Sequence, residues 1–322
     1  MGRRLLIILG LLAGLALSLI ISATGLINPY YQQILMYVGI NILLTASLNL
    51  VNGYMGEFSV GHAGFMAVGA YASSLLTLSS FFTTGILSYF FFPAALILGG
   101  LAAAVTGFLI AIPSFKTRGD YLAIVTLAFN MIIKSVIENI EAVGGPRGMM
   151  GMPRLTTMAW VFIWVVLGLY MMRNFIYSRY GRGAMAIRED ETAAEVMSVN
   201  TRQCKVLTFS IAAFFAGVAG GLFAHLITYI HPSSFSILKS VDILVMVYLG
   251  GMGSLAGSIV GATLFTTLLE LLRFLGLWRW VAGPLLLVIL MILRPWGIMG
   301  KREFGFFIPK EEKRLLHGTA SS

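Results

Sequence analysis

The residues with most scope for chemistry lie in one stretch, GYMGEFSVGHAGFMAVGAYASS (53–74), where Glu57, Ser59 and His62 alternate with glycines. A carboxylate and an imidazole can move protons or hold a cation, yet neither has the company that catalysis requires. No Ser-His-Asp set and no supported carboxylate dyad accompanies them. His225 and His231 are too isolated for a metal site. The single cysteine, Cys204, excludes an intrachain disulfide and a Cys-cluster metal centre. No catalytic and no metal-ligating residue is assigned.

The surroundings point to passage instead. A carboxylate near the middle of a bilayer costs roughly 2.5–3.5 kcal/mol, so Glu57 must face protein or water. Gly61, Ala63 and Gly64 beside His62 leave room for a backbone or a small solute. The expectation is that Glu57, Ser59, Gly61, His62 and Gly64 border a glycine-lined constriction on a translocation path. The blander readings are that Glu57 favours a helix start through the dipole and that His62 is a hydrogen-bonded core residue.

The elements that must position these groups are membrane helices. The chain has 322 residues, 58% apolar and 11% charged, too little polar surface for a water-soluble fold. Windows of about 20 nearly uncharged residues match the hydrocarbon thickness. They are expected at 5–27, 30–51, 59–79, 86–112, 121–140, 158–177, 206–230, 240–274 and 279–293. The opening run, Leu5 to Ile21, exceeds a signal-peptide core and reads as an uncleaved helix.

Charge sets the orientation. Most of the 22 Lys and Arg cluster at the N-terminus, near 116–118, between 173 and 205, and from 294 onward. Keeping all four regions on the cytoplasmic side requires that 240–274 break at GGMGS (250–254). About ten segments result, some broken or re-entrant. The fold class is an all-α polytopic membrane bundle forming one domain over 1–322, with a cytoplasmic loop at 178–205 and a basic cytoplasmic tail at 294–322. Asp242 is expected to cap the short helix after 240, and Lys134 with Glu138 and Glu270 with Arg273 to pair on helix faces. The basic charge is a topology signal; no base-reading or stacking element suggests nucleic acid.

Small residues recur every fourth position, as in Gly99-Ala103-Gly107-Ala111, Ala213-Gly217-Gly221 and Gly253-Gly257-Gly261, allowing close helix contact. GYMG (53–56) and GGMG (250–253) each precede a small-residue helix ending in VGA, a faint internal echo. Interrupted helices in corresponding positions point to a substrate path, which adds Gly250, Gly251 and Gly253 to the candidates. In the loop, Asp190 is placed to cap a short helix through ETAAEVM, with Glu191 and Glu195 in its N-terminal half. Ala193 and Met197 fall on one face. The chain has no phosphate-binding G-x-x-x-x-G-K-[ST] loop, so any ATPase is a separate polypeptide.

Five motifs in order, GYMGEFSVGHAGFMAVGAY, TRGDYLAIVTLAF (117–129), GGPRGMMGMP (144–153), GRGAMAIREDETAAEVMSVN (181–200) and LGGMGSLAGSIVGA (249–262), resemble the LivM-type permease subunit of branched-chain amino-acid ABC importers. The resemblance runs from about residue 35 to LRPWGIMG (293–300). It implies a transmembrane permease subunit of an ATP-driven importer in a prokaryotic inner membrane. The implied partners are a second, LivH-like permease, two cytoplasmic ATPases (LivG- and LivF-like), an extracytoplasmic binding protein and membrane lipid. No cofactor is implied for this chain; ATP and Mg belong to the ATPases. Asp190, Glu191, Ala193, Ala194, Glu195, Met197 and Ser198 would form the coupling helix that docks on an ATPase. Ser198 stands where the family usually has glycine, and Val143 where it usually has threonine. Relatives of this architecture carry urea, short amides or aromatic acids, so those substrates are the alternatives. A secondary transporter working alone would need coupling-ion ligands that the spans lack.

Overall fold

The computed structural model describes residues 2–24, 27–78, 86–115, 121–278, 296–300, 302–304 and 307, with scattered positions between 281 and 293. Helices α1 (Gly2–Thr24), α2 (Pro29–Asn49), α3 (His62–Leu78), α4 (Ile86–Ser114), α5 (Tyr121–Asn139) and α6 (Met158–Ile176) fill the first half. Two short helices follow, α7 (Arg179–Glu189) and α8 (Glu191–Val196), then α9 (Thr201–Ile227), α10 (Ile237–Gly250) and α11 (Leu255–Leu271). Among the described residues, seven stretches are long and apolar enough to cross a membrane. The chain is a polytopic membrane helix bundle. Its only extended pairing among the described residues joins Met149 to Ile230 and Met150 to Tyr229.

Polar residues set the helix starts. Asn28, ahead of Pro29, accepts from the Tyr30 amide to open α2, and Thr157, Asn200 and Ser254 do the same for α6, α9 and α11. The break expected in 240–274 is present between α10 and α11. Gly251 (φ 124°) and Gly253 (φ 77°) take backbone conformations that other residues rarely adopt. α3 opens at His62 rather than 59, because α2 continues as a π-helical turn over Leu50–Met55 and stops at Gly56 (φ 80°). Residues 56–61 are irregular. Asp242 does not cap α10; Ser236 holds that position. About half of the span expected at 279–293, the loop 116–120 and most of the 294–322 tail lie outside the described residues.

The centre of the bundle is α3, α4 and α9, joined along the small-residue rows. A Cβ on Gly69 would strike the backbone of Gly217, and one on Gly220 the carbonyl of Met66. Lipid tails are as apolar as leucine, so helices associate by such close contact and not by a hydrophobic drive. His225 belongs to this core: it is buried and bonds Thr77 Oγ1 and the Gly221 carbonyl, both at 2.8 Å.

Candidate functional site

The two echo segments meet. Gly53, in the π-helical end of α2, lies so close to Gly253 that a Cβ on Gly53 would hit the Gly253 amide. Asn49, fully buried, braces the junction. Its Nδ2 donates to the Ser254 carbonyl and Ser258 Oγ, each at 2.8 Å, and its Oδ1 accepts from the Gly253 amide at 2.9 Å. Such a saturated amide fixes one register between α2 and the break, because any slip leaves buried polar groups unpaired. Gly250 sits against the Gly257 carbonyl and Gly251 against the backbone of Gly300. Glu303 closes the other side, accepting from the Leu255 amide (2.5 Å), Tyr54 Oη (2.7 Å) and the Ala256 amide (3.2 Å). It thereby adds a carboxylate at the N-terminus of α11.

The 178–205 loop is tied to this junction by two cations. Arg188, near the end of α7, donates from Nη1 to the Gly53 carbonyl at 2.7 Å and lies over Gly56 and Gly253. A cavity of about 310 Å³ opens beside it, between Asn52, Phe58, Tyr248 and Trp296. Lys205, in the first turns of α9, places Nζ 2.6 Å from Glu57 and 2.8 Å from Glu191. The lysine side chain is only 9% exposed, whereas Glu191 is 47% exposed. One buried ammonium therefore connects the start of α8 to the irregular segment before α3, two groups that the sequence shows as separate. Glu57 precedes α3 by several residues, so its partner is Lys205 and not the α3 dipole.

The remaining loop residues build α8 and its cap. Asp190 Oδ1 accepts from the Ala193 amide at 3.0 Å, and Glu195 Oε1 accepts from Thr201 Oγ1 at 3.1 Å. Ala194 is the inward residue, in a small cluster with Ile187, Cys204 and Val199, while Ala193 faces out. The helix closes with paired bonds, Ser198 amide to Glu195 carbonyl and Val199 amide to Ala194 carbonyl. This C-cap turn requires a left-handed residue, and Ser198 supplies it at φ 62°. Val196 and Met197 project into solvent, 79% and 78% exposed.

The other path candidates fall deeper. His62 is buried, with Nε2 2.7 Å from Ser47 Oγ, and that hydroxyl also lies 2.8 Å from the Leu44 carbonyl. Gly61 meets the Thr126 carbonyl, and Gly64 meets Phe129 and Asn130. Both glycines seat α3 on α5, and a leucine at either would act through packing as well as through any blockage. Ser59 is held by Asn52, whose Oδ1 accepts from the Ser59 amide at 3.2 Å. Among the described residues no group of His, Cys, Asp and Glu has metal-site geometry.

Lys205, Arg188, Asn49 and Glu303 escaped the sequence reading. The available signals were a lysine one turn into an apolar helix and an amide inside another. Each marks a polar group that needs a partner, but neither names it.

Comparison with known proteins places the chain in a family. The family described as branched-chain amino acid transport system, permease component, matches residues 30–294. The high-affinity branched-chain amino acid transport system permease protein LivM of Escherichia coli is 34% identical over 295 residues, covering 81% of this chain and 68% of the relative. The probable LivM protein of Methanocaldococcus jannaschii is 24% identical, covering 88% and 97%. The LivH permease protein of Escherichia coli is 25% identical, covering 81% and 91%. No solved structure matches the chain.

Proposed function

The chain belongs to the permease-component family of the branched-chain amino acid transport system, and we propose that it carries branched-chain amino acids inward as one of two permeases in an ATP-driven importer. Its similarity to both LivM and LivH proteins supports pairing with a related permease. Two ATPases that use ATP and Mg, and an extracytoplasmic binding protein, complete the assembly. Both chain termini are cytoplasmic, and α8 docks on an ATPase through the outward Val196 and Met197.

The observation that carries the mechanism is the Glu191–Lys205–Glu57 bridge. Movement of α8 by an ATPase pulls on Glu191. Separating Lys205 from Glu57, the more buried of its two partners, would leave a largely buried ammonium with one half-exposed carboxylate, a cost below the about 3–5 kcal/mol of breaking a fully buried pair. The displacement therefore reaches residues 56–61. Arg188 passes the same motion to Gly53 and so to the junction with the α10–α11 break. The spans hold few charges, which suits a permissive pore whose selectivity resides in the binding protein.

The test is uptake by the assembled importer in proteoliposomes, with labelled leucine, urea and a short amide in parallel. Leucine is expected to enter only with ATP. Lys205→Met should lower leucine transported per ATP hydrolysed about tenfold, and Lys205→Arg should restore part of it. Uptake of urea or amide alone would replace the substrate, and transport without an ATPase would overturn the reading.

A further inference from the structure

A crevice of about 550 Å³ separates α5 from the turn Pro232–Phe235 and the start of α10. That volume lies within the roughly 300–1,000 Å³ of small-molecule sites. It is distinct from the junction described above, and its lining has the composition of a binding site.

Three observations converge there. Asn130, midway along α5, is 2% exposed, and its buried Oδ1 has no hydrogen-bond partner. Its Nδ2 is turned to Ser240 Oγ at 3.4 Å, which leaves the amide oxygen as an acceptor in want of a donor. An orphaned buried acceptor is costly and calls for an occupant. Second, Ser236 occupies the N-cap of α10 and lines the crevice, yet makes no side-chain cap bond. The first amides of a fourteen-residue helix, with their positive dipole end, thus border the cavity. Third, Lys134 and Glu138 line the same wall 3.7 Å apart, beyond hydrogen-bonding distance, with side chains 39% and 35% exposed. Two charges on a membrane helix cannot face lipid without cost, and neither exhausts its capacity on the other.

We propose that this crevice binds a zwitterionic α-amino acid with an aliphatic side chain. The ammonium donates to Asn130 Oδ1 and faces Glu138. The carboxylate accepts from the opening amides of α10 and faces Lys134. Met131, Phe235 and Leu238, which also line the crevice, take the aliphatic side chain. This assignment rests on the amino-acid reading above and supplies a residence for the substrate within the chain. Ser240 Oγ, which receives Asn130 Nδ2, also accepts from the Ala63 amide at 3.1 Å. Occupancy is therefore felt at the start of α3, next to the segment that Lys205 anchors.

The experiment uses the assembled importer in vesicles and L-photoleucine, a diazirine analogue of leucine. Irradiation is expected to label residues 130–138 and 235–238, with labelling suppressed by excess leucine. Glu138→Gln and Lys134→Gln should each reduce that labelling, and leucine uptake, about tenfold. Assembly is checked by size-exclusion chromatography. Val136→Ala, on the same helix but outside the crevice, should change neither. A zwitterionic lipid headgroup offers the same charges, so a second arm carries a headgroup-labelled phosphatidylethanolamine photoprobe. Labelling of the crevice by the lipid, uncompeted by leucine, would overturn the proposal. So would normal labelling or normal uptake in both charge variants. Wild-type leucine uptake with no crevice label would remove this site and keep the importer reading. Absence of leucine uptake beside uptake of urea would remove both.

Discussion

The junction around Asn49 and the outer face of α5 are built on opposite terms. The span ending in that junction, Pro29–Met55, is 78% buried in its most apolar window, whereas α5 is 22% buried. At the junction, glycine backbones touch, and Asn49, Glu303 and Arg188 cross-link the end of α2, α7 and the start of α11. On α5, Ile124, Met131 and Ile132 are exposed, and beside them a buried amide oxygen and a loose ion pair border a cavity. A region that must transmit force needs contacts with no slack. A region that must admit a solute needs polar capacity left unspent. Backbone proximity serves the first and unsatisfied side chains serve the second.

Substitutions can break that contrast. Gly53→Ala should have the largest effect: its Cβ would strike Gly253 and Asn49, costing about 3 kcal/mol or more. Little folded protein should survive detergent extraction, while Ile124→Ala on the open face of α5 should stay within about 0.5 kcal/mol. Asn49→Leu comes next. It leaves the Gly253 amide without its acceptor, about 1–3 kcal/mol, read as a lowered unfolding midpoint in detergent.

Ser198→Gly should act in the opposite direction. Relief of the left-handed conformation is expected to stabilise the α8 turn by about 1 kcal/mol, seen as slower backbone hydrogen exchange across 190–199.

The smallest effect concerns pH. Burial pushes the Glu303 carboxyl above its ordinary value, outweighing the hydrogen bonds from Tyr54, Leu255 and Ala256 that pull it down. The folded protein then holds this proton more tightly than the unfolded chain. The group's contribution to stability is fully present below the unfolded value, about 4.3, and is lost as pH rises through the folded one. Glu303→Gln should flatten the part of the stability profile that falls as pH rises above the unfolded value, measured by thermal unfolding of both proteins.

The helices were legible because lipid leaves few options. Apolar runs of bilayer length must be helical, and the positions expected for α2, α4, α5, α6 and α9 agree with the structure to within several residues. The glycines of GGMGS announced the break between α10 and α11, and Asp190 announced the start of α8. Residues 59–61 were expected within the third span because their apolar and small composition carries no stop signal, whereas the structure leaves them irregular. Gly56 ends the π-helical turn in a left-handed conformation, with Arg188 packed where a side chain would stand.

What the sequence by itself determined is therefore the membrane class, the main helices, the broken span and the family. Each follows from local composition, from short-range pattern or from motif order. Only the tertiary structure decided that Glu57 and Glu191 share Lys205, that Asn49 joins the two echo segments, and that Glu303 turns back to α11. It also decided that Gly61 and Gly64 seat α3 against α5, and that Asn130 keeps a free oxygen in a crevice. These are pairings across tens to hundreds of residues between groups with many possible partners. Sequence shows that a buried charge or amide needs a partner; packing in three dimensions selects which one it finds.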